Sequence, residues 1–574
     1  MPKASDVIAR YLSDQGVECV FELVGGMITH LLDSMYQAGQ IRIVSMHHEQ
    51  GAAFAAEGHA RMTGVPGIAM ATSGPGAINL LTGIASCYFD STPAVFITGQ
   101  VNRNEMKGDR AIRQMGFQET EIVSLAAPIT KAAWQVESPE QLPILLQRAF
   151  QLASSGRPGP VLLDVPMDIQ RADVPMVAST LPSKPAAQPV ITRSEIEELV
   201  HALQQARRPL VLVGGGIRAA RATDQVRELL DTLGVPVVNS LMGVDVLPFS
   251  SDLRVGMIGS YGNRWANLAV GRADFLLVLG SRLDIRQTGS ETEAFKADRA
   301  IFHVDCEPGE INNRITGCRA MVADLKEFVG VALPVARAAN LPPRPDWIEE
   351  IHALRQSWPD TQELSGSPGI NPNVLMHQLS SLSSSVAAYV ADVGQHQMWA
   401  AQSLELLPKQ RFLTSGGLGS MGFGLPAAIG ASLAATGRPI VLVAGDGGFQ
   451  TNIQELQTVA RNLLPIKMLI VNNRSHGMVR QFQQSYFDSR YQSTVWGYSA
   501  PDFAAVASAY GIPSKGLATE EHVEEALSWL LSEPGPALLD VQISPEANTY
   551  PKIAFGRPIT EMEPFASPVG MEAT

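Results

Sequence analysis

Cysteine, clustered basic charge and long unbroken apolar runs are all scarce in this sequence. Only four cysteines occur in 574 residues: Cys19, Cys87, Cys306 and Cys318. No Cys-x-x-Cys pair exists, and only Cys306 and Cys318 are near each other. That excludes a disulfide scaffold or thiolate metal site and fits a reduced, cytoplasmic enzyme. Charged residues make up 17% and the net charge is −13, with no basic block. Nucleic acid and anionic membrane are therefore poor partners. Two uncharged stretches, Met62 to Phe89 and Phe412 to Gly437, are interrupted by glycine and proline. Each reads as strand, tight turn and buried helix rather than a membrane span. Lys3, Asp6, Arg10 and Asp14 mark the start as a helix, not a signal peptide.

What is present is apolar bulk, 45% of residues, arranged in three α/β blocks. The first, about 1–180, holds buried strands at Val65 to Ala71, Ala94 to Thr98 and Pro160 to Val165. A Pro- and Ala-rich linker follows near Val174 to Val190. The second, about 191–340, holds Arg208 to Val213, Asp274 to Gly280 and Ala300 to Asp305, and a further linker spans Ala339 to Asp346. The third covers about 370–545, before an irregular tail over 546–574. The expected class is α/β with three doubly wound parallel-sheet domains. Thr72-Ser-Gly-Pro-Gly76 echoes Thr414-Ser-Gly-Gly-Leu-Gly419, which suggests that the outer blocks share an architecture.

Chemistry concentrates in Gly445-Asp446-Gly447 and Asn472-Asn473. Each follows a buried strand, and a helix is expected between them over Phe449 to Asn462. Carboxyl ends of consecutive parallel strands are where open α/β sheets bind ligands. An Asp and an Asn there can give hard oxygen ligands to Mg²⁺. The glycines let the backbone approach a diphosphate, and the helix start offers free N–H groups. A second carrier is Glu49, in His47-His-Glu-Gln50 between a strand and a helix, a carboxylate able to hold or trade a proton.

The full set of motifs resembles the thiamine-diphosphate-dependent acetohydroxyacid (acetolactate) synthases. The match includes His48-Glu-Gln50, Thr72 to Gly76, Thr98-Gly-Gln-Val101, Phe117-Gln-Glu119, Val393 to Trp399, Thr414 to Ala428, Gly445 to Gly447, Asn472-Asn473 and Gly477 to Gln481. The resemblance implies pyrimidine-binding, central and diphosphate-binding domains in that order. It implies a homodimer or homotetramer with the site between subunits, with or without a regulatory subunit.

It also implies roles. Glu49 is expected to bond N1′ of the aminopyrimidine. Met421 resembles the wedge that bends the cofactor, and the Gly419 carbonyl its 4′-amino partner. Gly25, Gly76, Gln395, His396, Gly445, Gly447, Gly448 and Met478 fall among expected cofactor contacts. Asp446, Asn473 and the Ser475 carbonyl resemble the Mg²⁺ ligands. Gln100, Phe117 and Gln118 line the expected entrance, and Arg286 is expected to hold an acceptor carboxylate. Gly214, Gly215, Gly216, Asp305 and Asp324 resemble an FAD site of mostly structural use.

Several positions depart from the pattern: Phe482 replaces a Trp, Ile285 an Asp and Ile258 a His. Glu22 stands in place of a Gly, and His476 where an apolar or amide residue is usual. The first expectation is a pyruvate-decarboxylating carboligase with a 2-keto acid acceptor. Alternatives are transfer of the same two-carbon unit to a nucleotide-linked ketosugar, and an FAD-dependent pyruvate oxidase.

Overall fold

The computed structural model describes residues 1–174 and 191–569. The expected linker after Val174 lies outside the described residues, as do the last five residues of the tail. Among the described residues there are three six-stranded sheets, all parallel, as the sequence predicts. The first holds β1 (Cys19–Leu23), β2 (Arg42–Ser45), β3 (Gly67–Ala71), β4 (Ala94–Gln100), β5 (Ala132–Gln135) and β6 (Pro160–Pro166). The second holds β7 (Pro209–Val213), β8 (Val237–Asn239), β9 (Arg254–Met257), β10 (Phe275–Leu279), β11 (Ala300–Asp305) and β12 (Arg319–Val322). The third holds β13 (Ala388–Ala391), β14 (Arg411–Thr414), β15 (Ile440–Gly445), β16 (Ile466–Asn472), β17 (Ser514–Leu517) and β18 (Ala537–Gln542).

The outer sheets run β2-β1-β3-β4-β6-β5 and β14-β13-β15-β16-β18-β17, the same order twice. The outer blocks thus share an architecture, as expected, but the Thr72 and Thr414 motifs do not carry it: Thr72 follows β3, whereas Thr414 ends β14, the counterpart of β2. The middle sheet runs β12-β11-β10-β7-β8-β9, the doubly wound order of dinucleotide-binding folds. Helices cover both faces of each sheet, so the central strands are apolar along their whole length. β15 (Ile-Val-Leu-Val-Ala-Gly) is buried at all six positions. Lys467 in β16 is tolerated because its ammonium donates to the carbonyls of Glu533 and Gly535.

The outer domains share one core. Helix Glu49–Thr63 lies against helix Gly424–Ala434, and Ala52, Ala53, Ala55 and Ala56 of one share a buried core with Ala427, Ala428 and Ala431 of the other. A Cβ on Gly58 would drive into the Ala427 carbonyl, and one on Gly430 into that of Ala55. Two expectations change. The helix expected over Phe449 to Asn462 is split into Asp446–Thr451 and Leu456–Arg461. It breaks at Asn452, whose amide donates to the Gly422 carbonyl at 2.8 Å and to Gln50 Oε1 at 3.1 Å. The tail is not wholly irregular: β19 (Lys552–Ile553) and β20 (Met562–Glu563) pair antiparallel. Ile553, Ile559 and Met562 pack into the core of the middle domain beside Trp265.

Candidate active site

In the third sheet the strand order reverses between β13 and β15. A cavity of about 350 Å³ opens there, beyond the carboxyl ends of β13, β15 and β16. It is lined by Gln395, His396, Met421, Gly445 to Gly448, Asn473, Ser475 and Met478. The backbone explains the convergence. β13 delivers Gly394 and the helix Gln395–Ser403, β15 delivers Asp446, β16 delivers Asn473, and helix Gly477–Tyr486 brings Met478. Asp446 Oδ2 accepts from the Tyr498 hydroxyl at 2.8 Å, and burial pushes its pKa up to about 6. Asn473 Oδ1 accepts the Ser475 N–H at 3.1 Å, and its amide donates to Gln395 Oε1 at 2.9 Å. Burial pushes His396 down to about 3, so the ring is neutral.

Three buried polar atoms around this cavity lack a partner among the described residues: His396 Nε2, Ser475 Oγ and Trp399 Nε1. Leaving them unpaired costs free energy, so they call for a polar ligand. Gly445 and Gly447 must be bare, since a Cβ would press on the His396 and His476 rings respectively. A carboxylate, an amide oxygen and a backbone carbonyl beside such unpaired polar groups suit a hard cation and a diphosphate. Asp392 and Tyr498 were not singled out from sequence. Asp392, fully enclosed, accepts the N–H groups of Val393, Gly422 and Gly424 and thereby fixes the Met421 turn. Its signal was its place just before Val393-Gly-Gln; Tyr498 had none.

A second cluster occupies the equivalent position in the first sheet, beyond β1 and β3. His48 caps the helix by accepting the Gln50 N–H, leaving Glu49 in the first turn. Glu49 is buried, and its Oε2 accepts from Asn79 at 3.0 Å. Gly76 and Gly25 both close on Thr72, and Gly76 also faces Glu49 Oε1. Gln118 lies beside Gly74 with a left-handed φ of 65°, and Phe117 is 80% exposed. Gln100 is turned inward: its amide donates to Asp164 and to the Thr120 carbonyl. Glu22 is also turned inward, taking a hydrogen bond from Ser45 at 2.5 Å. Within one chain Glu49 does not line the cavity of Asp446.

A third cavity, about 960 Å³, spans the middle domain and both outer ones. Its walls include Gly215, Gly216, Asp305 and Asp324. Gly214 stays behind them, its Cα packed on the Gly280 carbonyl. Asp305 accepts the Glu307 N–H and Asp324 caps helix Leu325–Ala338. The size and the doubly wound sheet suit a dinucleotide. Arg286 sits at its edge on the short helix Ile285–Thr288, exposed, with no ion-pair partner among the described residues. Burial pushes the half-buried Tyr261 up to about 12, and the Arg286 guanidinium opposes that shift.

Two outer sheets of one topology, each with a polar cluster at its switch point, and a dinucleotide-type domain between them define a multidomain α/β enzyme for a diphosphate-bearing cofactor. Comparison with known families agrees. Residues 2–125 match the N-terminal TPP-binding domain of thiamine pyrophosphate enzymes, 196–331 the central domain and 392–541 the C-terminal TPP-binding domain. The acetolactate synthase large subunit of Pyropia yezoensis is 38% identical, covering 98% of this chain and 95% of its own. The isozyme 2 large subunit of Escherichia coli K12 is also 38% identical, over 97% and 98%. The chloroplastic acetolactate synthase of Arabidopsis thaliana is 38% identical, over 96% and 83%. The chain belongs to the thiamine pyrophosphate enzymes, within the acetolactate synthase family. Thiamine diphosphate is accordingly the cofactor of its outer domains. No helix among the described residues is long and apolar enough to cross a membrane.

Proposed function

We propose that this chain decarboxylates pyruvate and joins the remaining two-carbon unit to a second 2-keto acid, forming acetolactate. The carrying observation is Arg286, an unpaired guanidinium suited to the carboxylate of a keto acid acceptor. Bound thiamine diphosphate supplies the carbon nucleophile and electron sink. Glu49, oriented by Asn79, holds a proton against N1′ of the aminopyrimidine. Asp446, Asn473 and the Ser475 carbonyl hold Mg²⁺, and neutral His396 with Gln395 binds the diphosphate. Met421 supports the cofactor and the Gly419 carbonyl takes its amino group. Gly215, Gly216, Asp305 and Asp324 border an FAD site.

Glu49 and the Asp446 cavity come together only when two chains pair, Glu49 of one serving the cavity of the other. We divide each chain at 1–180, 191–340 and 370–545. A ketosugar acceptor is a second reading, favoured by His476, a polar ring on the cavity wall where an apolar or amide residue is usual, and by Phe482 in place of the larger Trp. NMR of carbon-labelled pyruvate with thiamine diphosphate, Mg²⁺ and FAD tests these readings. Rapid acetolactate supports the first. Slow turnover that rises only with a nucleotide-linked ketosugar supports the second. Oxygen uptake with acetate release would replace both with an oxidase.

A further inference from the structure

The turn Ser415 to Met421 carries the groups proposed to meet the aminopyrimidine, and it lies just beyond β14, outside the sheet ladder. Gly419 has a left-handed φ of 71°. Side chains hold its backbone. Ser415 Oγ accepts the N–H groups of Gly419 and Ser420 at 3.2 and 3.3 Å. The N–H groups of Gly416 and Gly417 instead point to another domain. Asp90, at the end of helix Leu81–Phe89 in the first domain, accepts both, at 3.1 Å on Oδ2 and 2.6 Å on Oδ1. Its side chain is 1% exposed and pairs with Arg61 at 2.8 Å. Arg61 in turn donates to the Thr414 carbonyl at 2.6 Å. Gly417 cannot carry a side chain here, since a Cβ would crowd the Phe89 carbonyl and Asp90 Oδ1.

We propose that Asp90 is a positioning residue for the thiamine site, setting from the first domain the turn that presents Gly419 and Met421. The proposal rests on the thiamine reading of that turn. A carboxylate that accepts two N–H groups and is ion-paired to a guanidinium is fixed in position as well as stabilised. The helix that ends at Asp90 begins just after Asn79, the partner of Glu49. Asn79 itself ends the preceding helix Pro75–Asn79, so two consecutive short helices run from the partner of Glu49 to the same chain's thiamine turn. Asp90, Gly416 and Gly417 also line the large middle cavity, so the turn is a wall common to two cavities.

The test compares Asp90→Asn with Glu363→Gln in the full-length protein. Glu363 makes a similarly buried ion pair with Arg264 at 2.6 Å, remote from the turn. In Asp90→Asn we expect kcat to fall about tenfold or more, while half-saturation by thiamine diphosphate moves less than about threefold. The near-ultraviolet circular dichroism band of the bound cofactor should weaken in the same variant. Glu363→Gln should lose thermal stability but keep kcat and the band. If Asp90→Asn does not fold, Gly417→Ala pushes on the same contact from the other side and should show the same split. Either variant keeping wild-type kcat and band, or matching Glu363→Gln, overturns the role of Asp90. Failure of the wild type to bind thiamine diphosphate would instead overturn the reading beneath it.

Discussion

Glu49 has one carboxylate oxygen held by Asn79 and the other facing the bare Gly76. That is how a proton-holding group keeps a fixed direction without being neutralised by a cation. Replacing it with Gln preserves shape and removes the base. Turnover should drop by about 10² to 10⁴, with thiamine diphosphate binding by calorimetry unchanged; full activity would refute its role. Arg286→Gln should raise KM for the keto acid acceptor about tenfold or more, with pyruvate decarboxylation measured separately little affected. At this scale the sequence is informative where chemistry demands a residue type. The places of Asp446, Asn473 and Glu49 are readable because each polar residue follows the end of an apolar strand, and the structure does set the first two on a cavity wall and bury the third. Asp392, Tyr498 and Asp90 are not, because their partners are backbone N–H groups or residues 52 and 326 positions away.

At the level of elements, close helix contact is the most sensitive feature. Helices Glu49–Thr63 and Gly424–Ala434 touch backbone to backbone at Gly58 and Gly430. Gly430→Ala must separate them, and we expect a loss of about 3 kcal/mol or failure to fold, since overpacking costs about 1–3 kcal/mol where the core can adjust. Urea unfolding measures it; an unchanged midpoint would contradict the packing. A second element-scale test concerns the seam between His377 on helix Pro372–Leu382, Asp360 and Glu405. His377 bonds Asp360 at 3.1 Å and Glu405 at 2.8 Å. Burial lowers its pKa, but the two carboxylates outweigh this and the net shift is upward. A raised histidine stabilises fully below its unfolded pKa, near 6.5, and loses that contribution as pH rises through the folded value. Thermal stability should therefore decline from about pH 6.5 upward more steeply in wild type than in His377→Gln. Parallel curves would contradict the pairing. Strands were legible from their apolar runs, as in β15 and β16. The break at Asn452 was not, because what ends the helix is a tie to Gln50 in another domain.

For the whole molecule, the decisive fact is that two functional clusters sit at equivalent positions in two like-ordered sheets yet share no cavity within one chain. Exposed apolar side chains accompany them: Val24, Ile78 and Phe117 around the first, Met421 and Val479 at the second. Solvent exposure of such groups beside a water-excluding site fits coverage by a second copy. The shared topology is expected from the Thr72 and Thr414 motifs, yet these fall on non-equivalent strands, β3 and β14, and it is the strand order that shows it. The separation of Glu49 from Asp446 is a matter of tertiary placement that no local pattern encodes.

Coexpression of Glu49→Gln with Asp446→Ala chains tests this most directly. Each homodimer should be inactive. A mixed dimer carries one site with both lesions and one with neither, so the mixture should recover about a quarter of wild-type activity if subunits pair at random about a two-fold axis. No recovery, with mixed dimers shown to form, would mean that each chain builds its site alone and would contradict the account.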